Sequence, residues 1–455
     1  NTALSNYYCT RLGEQAVTQV RSFQEVVYRN IYPGVDIEFQ VDDQTGFKYN
    51  LVVHHNSGIK DIRMKITGPD HQYVSDGSVM MTTRFGEVIE TIPVSYYLDT
   101  DGLVRAQVQF IQLENYEYGF QIKHTDKLSE GIWIDPVPIR LWGTYYGGAD
   151  FDQPTTMQVD PGGNIIIAGF TSSLTNIATT GSFQSTYAGN VDGFLAKFSS
   201  DGDLIWGTYF GGTALDNVSG CSVSSSGQIY LTGETYSVTG ISSSGAYQGA
   251  LNGISDAFLC QFSSDGSRTW STYYGGSAAD GGKCCVVNDG YIYVGGNTES
   301  SDVIASGGAF QPLPGGAQDG FLAKFDSQGQ RIWGTYYGGT MLDNITSISV
   351  TGEDLFFCGQ TASSDNISTP GAHQPLFAGG VFDGFFVCFD TSGQRSWGTY
   401  YGGSAYDGIN ACLPAPPNVI YIVGSTSSLN NISTSGSHQQ AYGGGGYDGF
   451  IVQFD

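Results

Sequence analysis

Ten aspartates recur on a fixed period. Asp152, Asp216, Asp280, Asp343 and Asp407 form one series, and Asp192, Asp256, Asp319, Asp383 and Asp448 form a second. Carboxylates in such a set can do three things. Loop oxygens can hold calcium. Two facing carboxyl groups can cleave a glycosidic bond as acid and base. A lone Asp at a loop end can accept backbone N–H bonds and fix a turn. The calcium reading lacks a D-x-D-x-D-G run, and one carboxylate per link makes a cage only if two links cooperate. The glycosidase reading draws little support from paired acids in a chain with so many Asp residues. Turn capping needs nothing further. The ten residues remain the candidate binding set, with calcium the ion they would take and no other cofactor expected.

Other catalytic patterns are absent. There is no G-x-S-x-G elbow, H-E-x-x-H pair, phosphate loop or dinucleotide fingerprint. No catalytic residue is assigned, and a non-enzymatic protein is expected. The rival is a polysaccharide hydrolase or lyase. His54 and His55 invite a metal reading, but they sit beside a turn, "HHNSG", with no Cys or Asp cluster in the adjoining sequence. Solvated turn residues are the simpler reading. His373 and His438 stand where Phe183 stands in an earlier copy of the repeat described below, which points to packing. The eight cysteines make no CxxC or zinc spacing. Most read as small buried apolar residues, and Cys358 with Cys388 is the disulfide candidate because both fall on strands expected to pair.

The elements that must position the aspartates repeat as well. Trp142, Trp206, Trp270, Trp333 and Trp397 lie 64, 64, 63 and 64 residues apart. The first Asp series follows ten residues after each Trp, and the second opens "DGFLAKF" and its counterparts. Gly-x-Thr recurs from Gly169–Thr171 to Gly424–Thr426, and an aromatic or His followed by Gln recurs from Phe183–Gln184 to His438–Gln439. Fixed spacing across several landmarks is the mark of a repeat architecture.

Each period holds four strand-like runs. We call them A to D: in the second unit "VSGCSV", "QIYLTGET", "DAFLCQF" and "TWSTYY". Tight-turn sequences such as "SSSG" and "SSDG" separate A from B and C from D. Four antiparallel strands repeated radially describe a propeller blade. A-B-C sets number five, but D strands that follow a C strand number only four. The fifth D strand is then "LWGTYY", 141–146, expected to pair with 448–454 and close a ring without an open edge. The strand-D aromatics should fill the space between blades, and the Gly-Gly after them should turn the chain with positive φ. The D–A and B–C links share one face, and the Ser/Thr-rich B–C links are candidates for recognising sugars or protein.

The pattern W-x-T-Y-[YF]-G-G, then "GNIIIAGFTSS", then "DGFLAKF" resembles the SBBP-type β-propeller repeat of secreted bacterial proteins, over about 142–455. Residues 1–140 resemble the β-rich domain that often precedes such repeats, through "YRNIYPGVDIEF", "FKYNLVVHHNSGIKDIRMKITG" and "GEVIETIPVSYY". The resemblance implies an extracellular or cell-surface protein and supplies no catalytic residues.

Before the repeats, "VDIEFQV", "FKYNLVV", "DIRMKIT", "GSVMMTT" and "LVRAQVQFIQL" alternate apolar and polar residues, as half-buried antiparallel strands do. The expected architecture is therefore all-β: a β-sandwich-like domain over 1–140, then a five-bladed propeller over 141–455. The chain of 455 residues has a net charge of -25, which disfavours nucleic acid and anionic lipid. No run of 18 apolar residues suggests a membrane span. The expected partners are protein or glycan at a cell surface, in adhesion, or copies of the chain itself in a filament or sheath. Sequons at Asn217, Asn344, Asn366 and Asn431 are glycosylation acceptors only in a suitable host.

Overall fold

A computed structural model of the chain describes residues 143–415 and 419–455. Of the first 142 it describes 4–7, 17–21, 25–42, 46–54, 59–75, 77–83, 86–90, 94–99, 102–114, 117–123 and 132–135. The chain divides into two compact regions, Asn1–Gly143 and Thr144–Asp455. Both are built of antiparallel strands.

In the first region an eight-stranded sheet runs in the order Glu25–Tyr32, Val35–Asp42, Gly46–Val53, Ile132–Asp135, Val94–Asp99, Gly102–Gln112, Glu117–Lys123 and Met64–Lys65. A three-stranded sheet, His71–Ser75, Ser78–Thr83 and Gly86–Glu90, shares its core. Alternate residues face inward: Ala106, Val108 and Phe110 on one strand, and Val79 and Met81 from the smaller sheet. This is the period of two that half-buried strands require. "DIRMKIT" departs from its strand reading. A 3-10 turn, Ile59–Asp61, precedes a strand of two residues, and Arg63 Nη1 donates to Lys60 O at 2.7 Å and Ile62 O at 3.1 Å. The turn places both Ile59 and Ile62 in the core, which an extended run could not do.

The second region holds four four-stranded sheets, each in the order A-B-C-D, and one of three strands in the order A-B-C. The second sheet is typical: Asp216–Val223, Ile229–Thr235, Asp256–Phe262 and Arg268–Tyr274. Register repeats with the sequence. The A-strand Asp lies opposite the B-strand Thr, which lies opposite the C-strand Asp: Asp216↔Thr235↔Asp256, and likewise Asp343↔Thr361↔Asp383. Apolar cores lie between neighbouring sheets. One joins Leu195 and Phe210 of the first sheet to Val218, Leu231 and Phe258 of the second.

Trp and the second aromatic of strand D tie it to the following sheet. Trp206 Nε1 donates to Ser264 O at 3.2 Å, and Trp270 Nε1 to Ser327 O at 2.9 Å. The second aromatic also crosses. Tyr274 OH donates to Ile304 O, Tyr337 OH to Ile367 O and Tyr401 OH to Ile432 O, at 2.8, 2.7 and 2.6 Å. Phe210 holds this position in the first sheet and lacks the hydroxyl. Tyr337→Phe should therefore keep the packing and lose one hydrogen bond, about 1 kcal/mol, because Arg395 Nη1 still donates to Ile367 O at 3.3 Å. Urea unfolding of the variant checks this.

Among the described residues, the expected pairing with 448–454 is not seen for 143–146. The fifth sheet contains Asp407–Ala415, Val419–Thr426 and Asp448–Phe454, and among the described residues the last strand has a neighbour on one side only. Residues 143–148 form no strand, and the Tyr145 ring is fully exposed. Residues 141 and 142 lie outside the described residues.

Candidate functional site

The repeated aspartates come together where the D–A and B–C links meet. Eight of the ten, all but Asp152 and Asp448 at the two ends, are buried. Each accepts hydrogen bonds from its own surroundings. Asp216 Oδ2 takes Gly212 N at 2.7 Å and Ser237 Oγ at 2.8 Å, and its Oδ1 takes the Thr235 hydroxyl. Asp343 and Asp407 repeat this with Gly339, Ser363 and Thr361, and with Gly403, Ser428 and Thr426. The Gly-Gly turn, the Asp and the Thr-x-Ser after strand B thus form one network. The Gly-x-Thr landmark was visible in the sequence. The Ser two residues later was just as regular, but its role appears only once the links meet.

The second Asp series closes the other link. Asp192 Oδ2 accepts Ala188 N at 2.8 Å and Gln184 Nε2 at 3.0 Å, while Gln184 Oε1 accepts Gly211 N at 3.0 Å. Gln248, Gln311 and Gln374 bridge their units in the same way. The aromatic or His before Gln184, Gln248, Gln311 and Gln374 packs on the next sheet. Phe183 meets Phe262 at 5.6 Å and lies under Arg268, and His373 meets Phe454 at 5.5 Å. His373 thus packs, as its alignment with Phe183 implied.

The two carboxylates of each link pair face one another across the first glycine of Gly-Gly. A methyl group on Gly211 would lie 2.7 Å from Asp216 Oδ2 and 3.0 Å from Asp192 Oδ1. One on Gly212 would lie 2.1 Å from Thr239 O. Neither glycine has a positive φ. The expectation of a left-handed turn is corrected here: these positions are glycine because neighbouring atoms approach too closely for a side chain.

Burial, helped in several links by the charge of the facing carboxylate, raises the pKa of several of these acids. Removal from water raises the Asp192 pKa to about 6; the Ala188 N–H opposes this and the Asp216 charge adds to it. Asp256 and Asp343 are also raised to about 6, chiefly by burial. Asp383 rises furthest, to about 7. Its link is one residue longer, and Asp383 Oδ1 has no donor where Asp192 and Asp319 each have a backbone N–H.

The carboxylate oxygens are thus largely occupied by N–H and O–H donors, the opposite of what a cation site presents. Among the described residues no group of three or more His, Cys, Asp or Glu could hold a metal ion. His54 Nε2 lies 2.9 Å from Asp36 Oδ2, a contact across adjacent strands that the sequence order hid. That hydrogen bond, with one from Asn30 N, lowers the Asp36 pKa. His55 lies outside the described residues. Cys358 and Cys388 are free thiols, so the disulfide is corrected. Cys358 lies opposite Phe386 and Cys388 opposite Phe356, a diagonal relation. Diagonal neighbours stand about 7–8 Å apart, beyond comfortable S–S reach.

The links themselves are open to solvent. Leu174, Val238, Leu313, Leu376 and Leu429 of the B–C links are each more than 60% exposed, as are Ile254, Val381 and Tyr447 beside the Asp series. The residues repeated in every unit are mostly buried, whereas the exposed ones vary.

Comparison with known proteins adds little about activity. A family described as "Domain of unknown function (DUF7948)" matches residues 1–137. The "Regulatory protein FlaEY" of Caulobacter vibrioides is 28% identical over 243 residues, 48% of this chain and 24% of its own length. This chain therefore spans about a quarter of that relative. Among solved structures, the phage phi92 endosialidase aligns over 97% of this chain and 60% of its own, with 8% identity and a TM-score of 0.32. A Synechocystis apocarotenoid oxygenase variant aligns over 85% and 80%, with 10% identity and a TM-score of 0.32.

Proposed function

We propose a secreted or cell-surface, non-enzymatic binding protein that acts in adhesion through the variable B–C links of an SBBP-type propeller. In this reading residues 141–146 supply the fifth sheet's missing strand and complete five four-stranded blades. The observation that carries it is the division of labour within each unit. The aspartates, glutamines and glycines that recur are spent on holding the links, and varied apolar and polar side chains stand exposed on the links they hold. Rigid scaffolds that vary in their loops bind through those loops, and exposed apolar side chains among polar ones suit a protein or glycan surface. Among the described residues no helix is long and apolar enough to cross a membrane.

The test is binding of the full chain to glycan and cell-surface protein arrays. Leu174→Asp, Val238→Asp and Leu429→Asp together should weaken whatever binding is found by tenfold or more, with unfolding unchanged. Turnover of a polysaccharide by the unmodified chain would overturn the non-enzymatic reading.

A further inference from the structure

The strand-D signature W-x-T-Y-[YF] occurs five times, and its two aromatics face opposite sides. The first aromatic belongs to its own sheet. Tyr209, Tyr273 and Tyr400 are buried and donate to Ser173 O, Ser237 O and Ser363 O. The second belongs to the following sheet, as described above. In the segment 143–146 only the second half is made. Tyr146 OH donates to Ile177 O at 2.7 Å, and its ring lies 5.5 Å from Phe194 and 5.4 Å from Phe198. Tyr274 stands 5.3 and 5.4 Å from Phe321 and Phe325. The segment is therefore already seated on the first sheet as a preceding strand D would be, while Tyr145 is bare.

The fifth sheet shows the complementary lack. Its last strand has an unpaired edge, and Ile451 on it is 72% exposed, whereas the C strands of the second to fourth sheets are buried almost throughout. The outer surface of the first sheet is equally uncovered: Met157 and Val159 on its A strand are at least 60% exposed. Equivalent strand-D positions make the four internal junctions, with Phe210 lacking the hydroxyl of the other three, and among the described residues the two ends of one chain do not pair.

We infer that a second copy of this chain completes the fifth sheet: its segment 143–146 pairs with Asp448–Phe454, and the two bare ends form a fifth junction of the kind already made four times. This rests on the reading of 141–146 as the missing strand, and it names where that strand comes from. The register follows from the other sheets, in which Gly193 faces Phe210, Phe194 faces Tyr209 and Leu195 faces Thr208. By that rule Gly449 faces Tyr146, Phe450 faces Tyr145 and Ile451 faces Thr144. Tyr145 OH would donate to Ser428 O. The contact is head-to-tail, so each added copy presents the same two free ends, and growth continues unless the rotation closes a ring. An unpaired strand edge with an exposed apolar residue is a ready template for such pairing.

The test uses full chains carrying Thr144→Cys or Ile451→Cys, oxidised and run without reductant beside the unmodified chain, whose own thiols serve as the control. Circular dichroism confirms that each variant folds. Mixing the two single variants should give a band of twice the chain mass, absent from either alone, and the double variant should give a ladder. A double variant that yields only a cross-linked single chain, with no product on mixing, would overturn the second-copy inference and leave the five-blade reading intact. No cross-link in any sample would overturn both.

Discussion

Asp216→Ala should destabilise the second region by about 3 kcal/mol or more, because three buried donors lose their acceptor at once and each unmet donor costs about 1–3 kcal/mol. The donors are Gly212 N, Ser237 Oγ and the Thr235 hydroxyl. One term acts the other way. Removing the Asp216 charge relieves Asp192, which it repels. That repulsion is a lesser contributor to the Asp192 shift than burial, so the lost hydrogen bonds decide the sign. Asp201→Ala, at an exposed turn, should stay within about 0.5 kcal/mol. Urea unfolding followed by tryptophan fluorescence measures both. Equal midpoints would mean that the carboxylate network does not hold the links.

Thermal stability should fall as pH rises from 5 to 8. The sign follows from proton linkage: where the native state binds more protons than the unfolded one, stability decreases with pH. Asp192, Asp256 and Asp343, each near 6, and Asp383, near 7, keep protons that an unfolded chain would release near the ordinary carboxylate value of 3.8. Their contribution is complete below that value and is lost as pH passes through 6 to 7. Each pKa unit corresponds to about 1.4 kcal/mol, so the combined change is on the order of several kcal/mol. Asp160 acts at the acid end. Burial disfavours its charge, but Lys197 at 2.7 Å and Asn164 hold it at about 2, so its contribution fades as pH falls toward that value. The expected profile has its maximum on the acid side of neutrality. A melting temperature that rises between pH 5 and 8 would contradict it. Asp383→Asn, which cannot ionise, should flatten the profile more than Asp343→Asn.

Much of this was legible in the sequence because the repeat supplied its own controls. Five copies of Trp, Gly-x-Thr, aromatic-Gln and Asp fixed the four-strand unit and its order, and the antiparallel sheets follow that reading. The capping role of the aspartates was legible too, since a lone Asp at a link end has an obvious local job. Their burial was not, because it depends on two links folding onto each other, and linear spacing does not report that. The Gly-Gly pair misled for a related reason. Sequence suggests backbone freedom at glycine, whereas Gly212 is required by the approach of Thr239 O from another link. His54 and Asp36 lie 18 positions apart and meet only through strand pairing. Closure of the ring followed from counting strands, and counting carries no information about the angle between successive sheets.

The placement of apolar cores between neighbouring sheets has a consequence for how the second region comes apart. Each sheet draws its support from the one before and the one after, so cohesion is summed along a line of adjoining modules rather than gathered in one centre. Damage confined to one seam weakens two modules and spares the rest. The first and last, each with a single supporting neighbour, fray before those in the middle, and whatever caps them governs the lifetime of the whole row.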